Sequence, residues 1–262
     1  MAFPTVGLLD SFIRANEEPL AKGWAVINGA GNTGRVYSEM YVAETLFSAG
    51  EDNAYWTGVE LREPAIDVTV QQKPEATLRT LTLWACLSSP ETAEKSGYCV
   101  RITCTNVAAK EYTVETLKMV KGVLTLIGKK ENVVIQDTKG AKAGVEGDKL
   151  GLQVSGGKVT AWHKVNKEAW TELFTNAEAT FTKGYVGIGA KGADEIGVSN
   201  FEAGGRVSLS GSIKATSGFK ASMHSHVKLE GEVEATSHFK AGMEPNLAGK
   251  VTSTSAFKAT LK

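Results

Sequence analysis

Leu150-Gly-Leu-Gln-Val154, Ser155-Gly-Gly-Lys158 and Val159-Thr-Ala-Trp-His163 follow one another without a break. Two short apolar runs flank a turn with two adjacent glycines, and glycine supplies the positive φ that a tight hairpin turn requires. The stretch therefore predicts two antiparallel strands. Outward from it, the same signature recurs. Ala65-Ile-Asp-Val-Thr-Val-Gln71 and Leu78-Arg-Thr-Leu-Thr-Leu-Trp84 alternate, and Tyr98-Cys-Val-Arg-Ile-Thr-Cys104 puts Val100, Ile102 and Cys104 on one face. Val123-Leu-Thr-Leu-Ile127, Val133-Val-Ile135 and Tyr185-Val-Gly-Ile-Gly189 add further strands, divided by Gly, Asn, Asp and Ser clusters. Only Ser38 to Phe47 and Pro90 to Ser96 could hold a turn or two of helix. Closely spaced strands without long helices predict an all-β sandwich or barrel and argue against a βαβ architecture.

The 262 residues suit one large β domain plus an appendage. Lysine plus arginine and aspartate plus glutamate number 29 each. That balance argues against a nucleic-acid binder, which carries a basic excess, and gives no polybasic membrane anchor. Low net charge lowers the solubility of a free monomer and fits a protein held in an assembly. The opening Met1-Ala-Phe-Pro-Thr-Val-Gly7 lacks a basic and a long apolar region, so no signal peptide is expected. No apolar run is long enough for a membrane span. Cys86, Cys99 and Cys104 fall in strand-like segments and read as reduced core thiols of a chain made in a cytoplasm.

Composition shifts at Ala203-Gly-Gly-Arg206, beyond which Trp and Tyr are absent. The expected organisation is a sandwich over residues 1–206 and a repeat tail over 207–262. Gly211-Ser-Ile-Lys-Ala-Thr-Ser-Gly-Phe-Lys-Ala-Ser-Met223 returns as Gly231 to Met243 and as Gly249 to Leu261, at spacings of 20 and then 18 residues. Ile213, Ala215, Ser217 and Phe219 share a face by alternation. Each unit has too thin an apolar edge to be stable alone, so it must stack on its neighbours or on another subunit. The second option is the expectation; a flexible Ser/Thr-rich tether is the alternative.

Leu9-Asp-Ser-Phe-Ile-Arg-Ala-Asn16, with Pro19-Leu20 and Trp24, resembles the opening of concanavalin A-like (laminin-G-like) jelly-roll domains in minor tail and structural proteins of tailed bacteriophages. Ala54-Tyr-Trp-Thr57, Gly97-Tyr98, Gly147 to Val154 with Val159-Thr-Ala-Trp162 and Trp170, Gly184 to Gly189 and Ser199-Asn-Phe-Glu-Ala-Gly-Gly205 continue the likeness in order over roughly residues 7 to 205. The resemblance implies a concanavalin A-like jelly-roll β-sandwich followed by a small β-repeat region. It further implies a virion component without enzymatic activity, whose partners are other virion proteins, further copies of itself in a homo-oligomer such as a trimer, and host surface polysaccharide. In such a sandwich the first and last strands can lie side by side, which makes Phe12 and Phe201 core plugs.

Fold alone does not settle chemistry. A retaining glucanase of this architecture needs carboxylates on one strand face, about 5–5.5 Å apart. Glu60-Leu-Arg-Glu63 puts them on opposite faces, and Asp194-Glu195 reads as a solvated turn. His163 is the sole histidine of the sandwich region, so any His-dependent triad must be built on it. A divergent hydrolase is therefore the weakest reading, behind a lectin module. Sugar binding needs exposed aromatics, and Trp162, Trp170, Tyr55 and Trp56 are the candidates. Glu51-Asp52-Asn53 offers oxygen ligands for a structural calcium in a loop, against the simpler reading of a polar turn. In the tail, His224 and His226 share a strand face. Around a threefold axis they would offer six imidazoles to a transition metal; two solvated histidines are the plainer expectation. No other cofactor is expected.

Overall fold

The computed structural model describes residues 2–27, 33–43, 51–72, 79–106, 111–135, 147–191 and 197–206, and short backbone segments within 220–261. The described strands are β1 (Gly7–Asp10), β2 (Trp24–Val26), β3 (Arg35–Tyr37), β4 (Met40–Val42), β5 (Asp52–Trp56), β6 (Leu61–Gln72), β7 (Thr80–Ser88), β8 (Ser96–Asn106), β9 (Glu111–Val120), β10 (Val123–Val134), β11 (Lys149–Ser155), β12 (Lys158–Lys164), β13 (Thr171–Ala177), β14 (Lys183–Lys191) and β15 (Gly197–Arg206). All their pairings are antiparallel. A front layer runs β4-β15-β6-β11-β12-β13, with β1 beside β15 and β3 beside β4; a back layer runs β2-β5-β14-β7-β8-β9-β10. The architecture is thus an all-β, jelly-roll-type sandwich.

Alternation sends one set of side chains inward. Leu150, Leu152 and Val154 of β11 join Ile66, Val68 and Val70 of β6, and Leu81, Leu83, Val100, Ile102 and Val114 come from the back layer. Phe12 and Phe201 are both fully buried, and β1 pairs with β15, which places Asp10 opposite Phe201. The expected closure of the two ends is therefore present. Cys86, Cys99 and Cys104 are free and buried, and burial pushes all three thiols up.

Three expectations are corrected. The helix expected over Ser38 to Phe47 is in its described part a hairpin: Arg35–Tyr37 returns as Met40–Val42 through Ser38 and Glu39, whose φ values are 50° and 62°. Two consecutive positive φ angles make the tight turn a hairpin needs and a helix cannot hold. Pro90 to Ser96 is a turn leading into β8 rather than a helix. Val123–Ile127 and Val133–Ile135, read as separate strands, belong largely to one β10, which stays paired with β9 across two irregularities. β10 ends the back layer and exposes Val123 and Leu126; its bulges and Lys129 and Lys130 are devices that discourage further pairing at a sheet edge.

In the tail, β16 (Lys220–Ala221), β17 (Val233–Ala235), β18 (Lys240–Met243), β19 (Val251–Ser253) and β20 (Thr260–Leu261) pair in parallel. The partners are equivalent repeat positions: Lys220 with Lys240, Val233 with Val251, and Met243 with Leu261. Equivalent positions of successive repeats therefore pair with one another within the chain. Spacings of 20 and 18 residues exceed the dozen or so that a parallel crossover connection needs.

Candidate functional site

The front layer's outer face is polar except at its centre. Across β15, β6, β11 and β12, the register aligns Glu202, Asp67, Gly151 and Trp162 in one row. Directly opposed residues share a face, so all four belong to the side away from the main core. Lys149 and Gln153 flank Gly151 on the same face, two residues away in each direction. Lys149 Nζ donates to Asp67 Oδ1 at 3.0 Å and to Glu202 Oε2 at 2.9 Å. Trp162 Nε1 donates to Gln153 Oε1 at 3.1 Å.

Phe3, from the segment before β1, lies on this row. Its ring is 4.2 Å from that of Trp170, centroid to centroid, and meets Trp162 edge-on at 5.9 Å. Gly151 makes the approach possible: a Cβ there would stand 2.9 Å from Phe3 Cε2 and 3.2 Å from Trp170 Cζ3. The sequence candidates Trp162 and Trp170 are thus brought together. Trp162 is not the exposed platform expected, however; it is 1% exposed, in a cluster with Phe3 and Ala65 against which Val6 and Trp170 pack. Trp170 is half-buried.

Tyr55 and Trp56 lie elsewhere. Tyr55 is buried on the back layer, donates to Glu91 Oε1 at 2.6 Å and packs against Tyr185. Burial, with Glu91 adding to it, pushes its phenol up to about 12. Trp56 is half-buried, edge-on to Trp24 at 5.4 Å. Neither contributes to a surface shared with Trp162.

The proposed calcium ligands do not fit a calcium loop. Asp52 and Asn53 belong to β5, and Asp52 is buried. Glu51 accepts from the Thr82 hydroxyl and from Arg101 at 3.2 Å, while Asn53 Oδ1 accepts from Trp84 Nε1 at 2.8 Å. The Glu51 and Asn53 oxygens are thus engaged by protein donors. Among the described residues no group of three His, Cys, Asp or Glu side chains is arranged for a metal. His224, His226 and Asp194-Glu195 lie outside the described residues.

Burial pushes the Asp67 carboxyl up to about 7, with Lys149 opposing and Glu202 adding to the push. A raised carboxyl beside a second carboxylate is a pattern found in acid–base catalysis. Here, however, Lys149 Nζ binds both, and the Asp67 side chain is only 2% exposed, so the pair is not presented to a glycosidic bond. His163 Nε2 lies 2.8 Å from Asp148 Oδ2, and Asp148 Oδ1 accepts the Asn166 amide at 3.0 Å. This buried pair ties the end of β12 to the turn after it.

The Asp67 site has a measurable consequence. Folded Asp67 keeps its proton to about pH 7, whereas an unfolded chain releases it near 3.9. Between those values the folded state binds more protons, so this residue's contribution to stability falls as pH rises. Asp67→Asn mimics the protonated form. The difference in unfolding temperature, Asp67→Asn minus wild type, should therefore grow between pH 4 and pH 8. Thermal scans at stepped pH check this, and a difference that does not vary with pH refutes it.

No protein-family profile and no curated protein sequence matches the chain. Among solved structures, the VIP36 exoplasmic/lumenal domain in its Ca2+/Man3GlcNAc-bound form is similar at 8% identity, TM-score 0.50, over 72% of this chain and 87% of that one. A legume lectin-like domain from Entamoeba histolytica aligns at 11% identity, TM-score 0.48, over 72% and 95%. The CBM2 module of the evolved Dit of Lactobacillus casei BL23 phage J-1 aligns at 8% identity, TM-score 0.47, over 74% and 91%. The chain has a lectin-like sandwich fold. At these identities the likeness is one of fold alone.

Phe3, Lys149, Asp67, Glu202 and Gln153 escaped the sequence reading. The available signals were Gly151 interrupting β11 and Asp67 at an alternate position of β6, but neither says which strands adjoin.

Proposed function

We propose that this chain is a non-enzymatic structural protein of a tailed-phage virion. Its lectin-like sandwich is displayed for host-surface contact or particle stabilisation, and the 207–262 repeats join it to copies of itself or to other virion proteins. The observation that carries this reading is the in-register parallel pairing of the repeats. Such a stack ends in unpaired backbone edges and is extended by further units of the same kind. The ordered sequence resemblance to phage tail and structural proteins supports the setting. Many copies on one particle would turn weak individual contacts into strong attachment. The expected site of synthesis is the host cytoplasm, with the virion as destination.

A second reading, a carbohydrate-binding module for host glycan, is favoured by the Trp162–Trp170 pair beside Lys149, Asp67 and Gln153. One experiment addresses the main reading. Purified particles carrying wild-type chain, or chain truncated after Arg206, are probed by mass spectrometry and by electron microscopy with a label on this chain. The full chain is expected on the particle and the truncated one lost from it, with the free sandwich still folded. Absence of the full chain from particles refutes the virion reading; retention of the truncated chain refutes attachment through the repeats.

A further inference from the structure

We propose that the segment of residues 2–6 is a displaceable cover, and that Phe3 stands where a hexopyranose ring of a polysaccharide binds. This inference deepens the carbohydrate-binding reading above and rests on it.

The covered place is built as a slot. Its floor is the bare backbone of Gly151, and its walls are the rings of Trp162 and Trp170. Exposed strand faces ordinarily carry polar side chains. A fully covered tryptophan amid Lys149, Gln153, Asp67 and Glu202 departs from that pattern. The rim is polar: Asp67 stands opposite Gly151, and Lys149 and Gln153 are its neighbours on the same face. Apolar walls with a few placed polar groups are the composition of a small-ligand site. Tryptophan faces receive the CH face of a sugar ring as they receive another apolar ring, while the sugar's hydroxyls require a polar rim of this kind.

The cover is lightly fastened. Phe3, Pro4 and Thr5 make no hydrogen bond among the described residues, and strand pairing begins only at Gly7. Phe3 is inserted between the tryptophans, and Val6 lies against Gly204. Displacement therefore breaks side-chain contacts without stripping backbone hydrogen bonds. A ring that enters the slot competes with Phe3 within the same molecule. Apparent affinity is then reduced by the fraction of time the slot is open.

The test uses the full chain as wild type, Phe3→Ala and Phe3→Leu, each with and without Trp170→Ala. The probe is an array of neutral hexose oligosaccharides, followed by calorimetric titration of those that bind. Phe3→Ala should bind at least one oligosaccharide about tenfold more tightly than wild type, as expected if the slot is open about a tenth of the time. Phe3→Leu should show a smaller gain, and Trp170→Ala should abolish either gain. A folded Phe3→Ala that binds no better than wild type overturns the proposal, as does a gain that survives Trp170→Ala. Should Phe3→Ala fail to fold cooperatively, Phe3→Leu decides by the same criteria. Equal oligosaccharide binding by wild type and Phe3→Ala removes the cover and leaves the carbohydrate-binding reading standing; no binding by any of the variants removes both.

Discussion

Gly184→Ala is expected to lower the unfolding midpoint of the sandwich by about 10 °C, corresponding to about 3 kcal/mol or more for a domain of this size. Gly184 sits where β14 changes partners. Lys183 and Gly184 pair with Arg62 and Leu61 of β6, and Tyr185 then pairs with Leu87 of β7. The chain passes from one layer to the other at this corner, with φ at +148°. That region is open essentially to glycine alone. An alanine Cβ would lie 2.5 Å from both the Cys86 carbonyl carbon and Leu87 O, and 2.8 Å from Leu87 N. All three are backbone atoms of a paired strand, so no side chain can swing away to relieve the clash. Gly156 is the control. It also has positive φ, +57°, but nothing lies within 4 Å of its added Cβ. Gly156→Ala should lose only about 1 kcal/mol, the conformational penalty alone. Thermal unfolding followed by circular dichroism compares the two, and equal midpoints would show that the corner yields.

The same corner marks where sequence reading stops. Gly184-Tyr-Val-Gly-Ile-Gly189 is legible as a strand because its apolar residues alternate. Nothing in it says that two layers meet there. Likewise β6, β7, β8, β11 and β12 follow from local alternation, and the cysteines from their strand-like surroundings. Glu111–Val120 passed without notice although Tyr112, Val114 and Met119 are buried, because interleaved Glu, Thr and Lys dilute its apolar signal. Glu51 and Asn53 looked like loop ligands for a related reason. A polar cluster is read as solvated until its neighbours are known, and here they are Thr82 and Arg101 for Glu51 and Trp84 for Asn53, all from β7 and β8.

The candidate site was less legible than the fold. Trp162 and Trp170 could be picked by residue type, but the residue that occupies their slot, Phe3, lies far earlier in the chain, ahead of the first strand. Phe3 sits in a short segment without periodicity, so only the fold brings it to Gly151. The ion group beside it draws Asp67, Lys149 and Glu202 from three separate strands. Period-two alternation reports which face a residue takes, and strand order decides who shares that face.

Phe12→Ala and Phe201→Ala should each destabilise the sandwich by about 3–5 kcal/mol, a large part of the roughly 5–15 kcal/mol that holds a domain together. The two rings come from the first and last parts of the sandwich's sequence and meet through Trp24. Phe12 stacks on Trp24 at 5.9 Å and lies 5.6 Å from Tyr41, while Phe201 meets Trp24 edge-on at 5.0 Å. Asp10 fixes this arrangement. Its Oδ2 accepts from Trp24 Nε1 at 2.8 Å, and its Oδ1 accepts from the Phe12 amide at 2.8 Å and from Arg14 at 2.6 Å. The Asp-Ser-Phe-Ile-Arg run thus has a physical reading: the carboxylate orients the tryptophan on which both phenylalanines pack. Because they share Trp24, the double variant should lose less than the sum of the singles. Phe12 carries one further test. Its φ is +59°, a conformation that favours glycine by about 1 kcal/mol over residues with a Cβ. Phe12→Gly should therefore be less destabilising than Phe12→Ala, reversing the usual order for a truncated core residue, whereas at Phe201 glycine should gain no such advantage. Urea denaturation of the four single variants and the double checks the set. A loss below about 1 kcal/mol at either position would mean that the ring is not part of the core, and with it the closure of the two chain ends through Trp24 would fail.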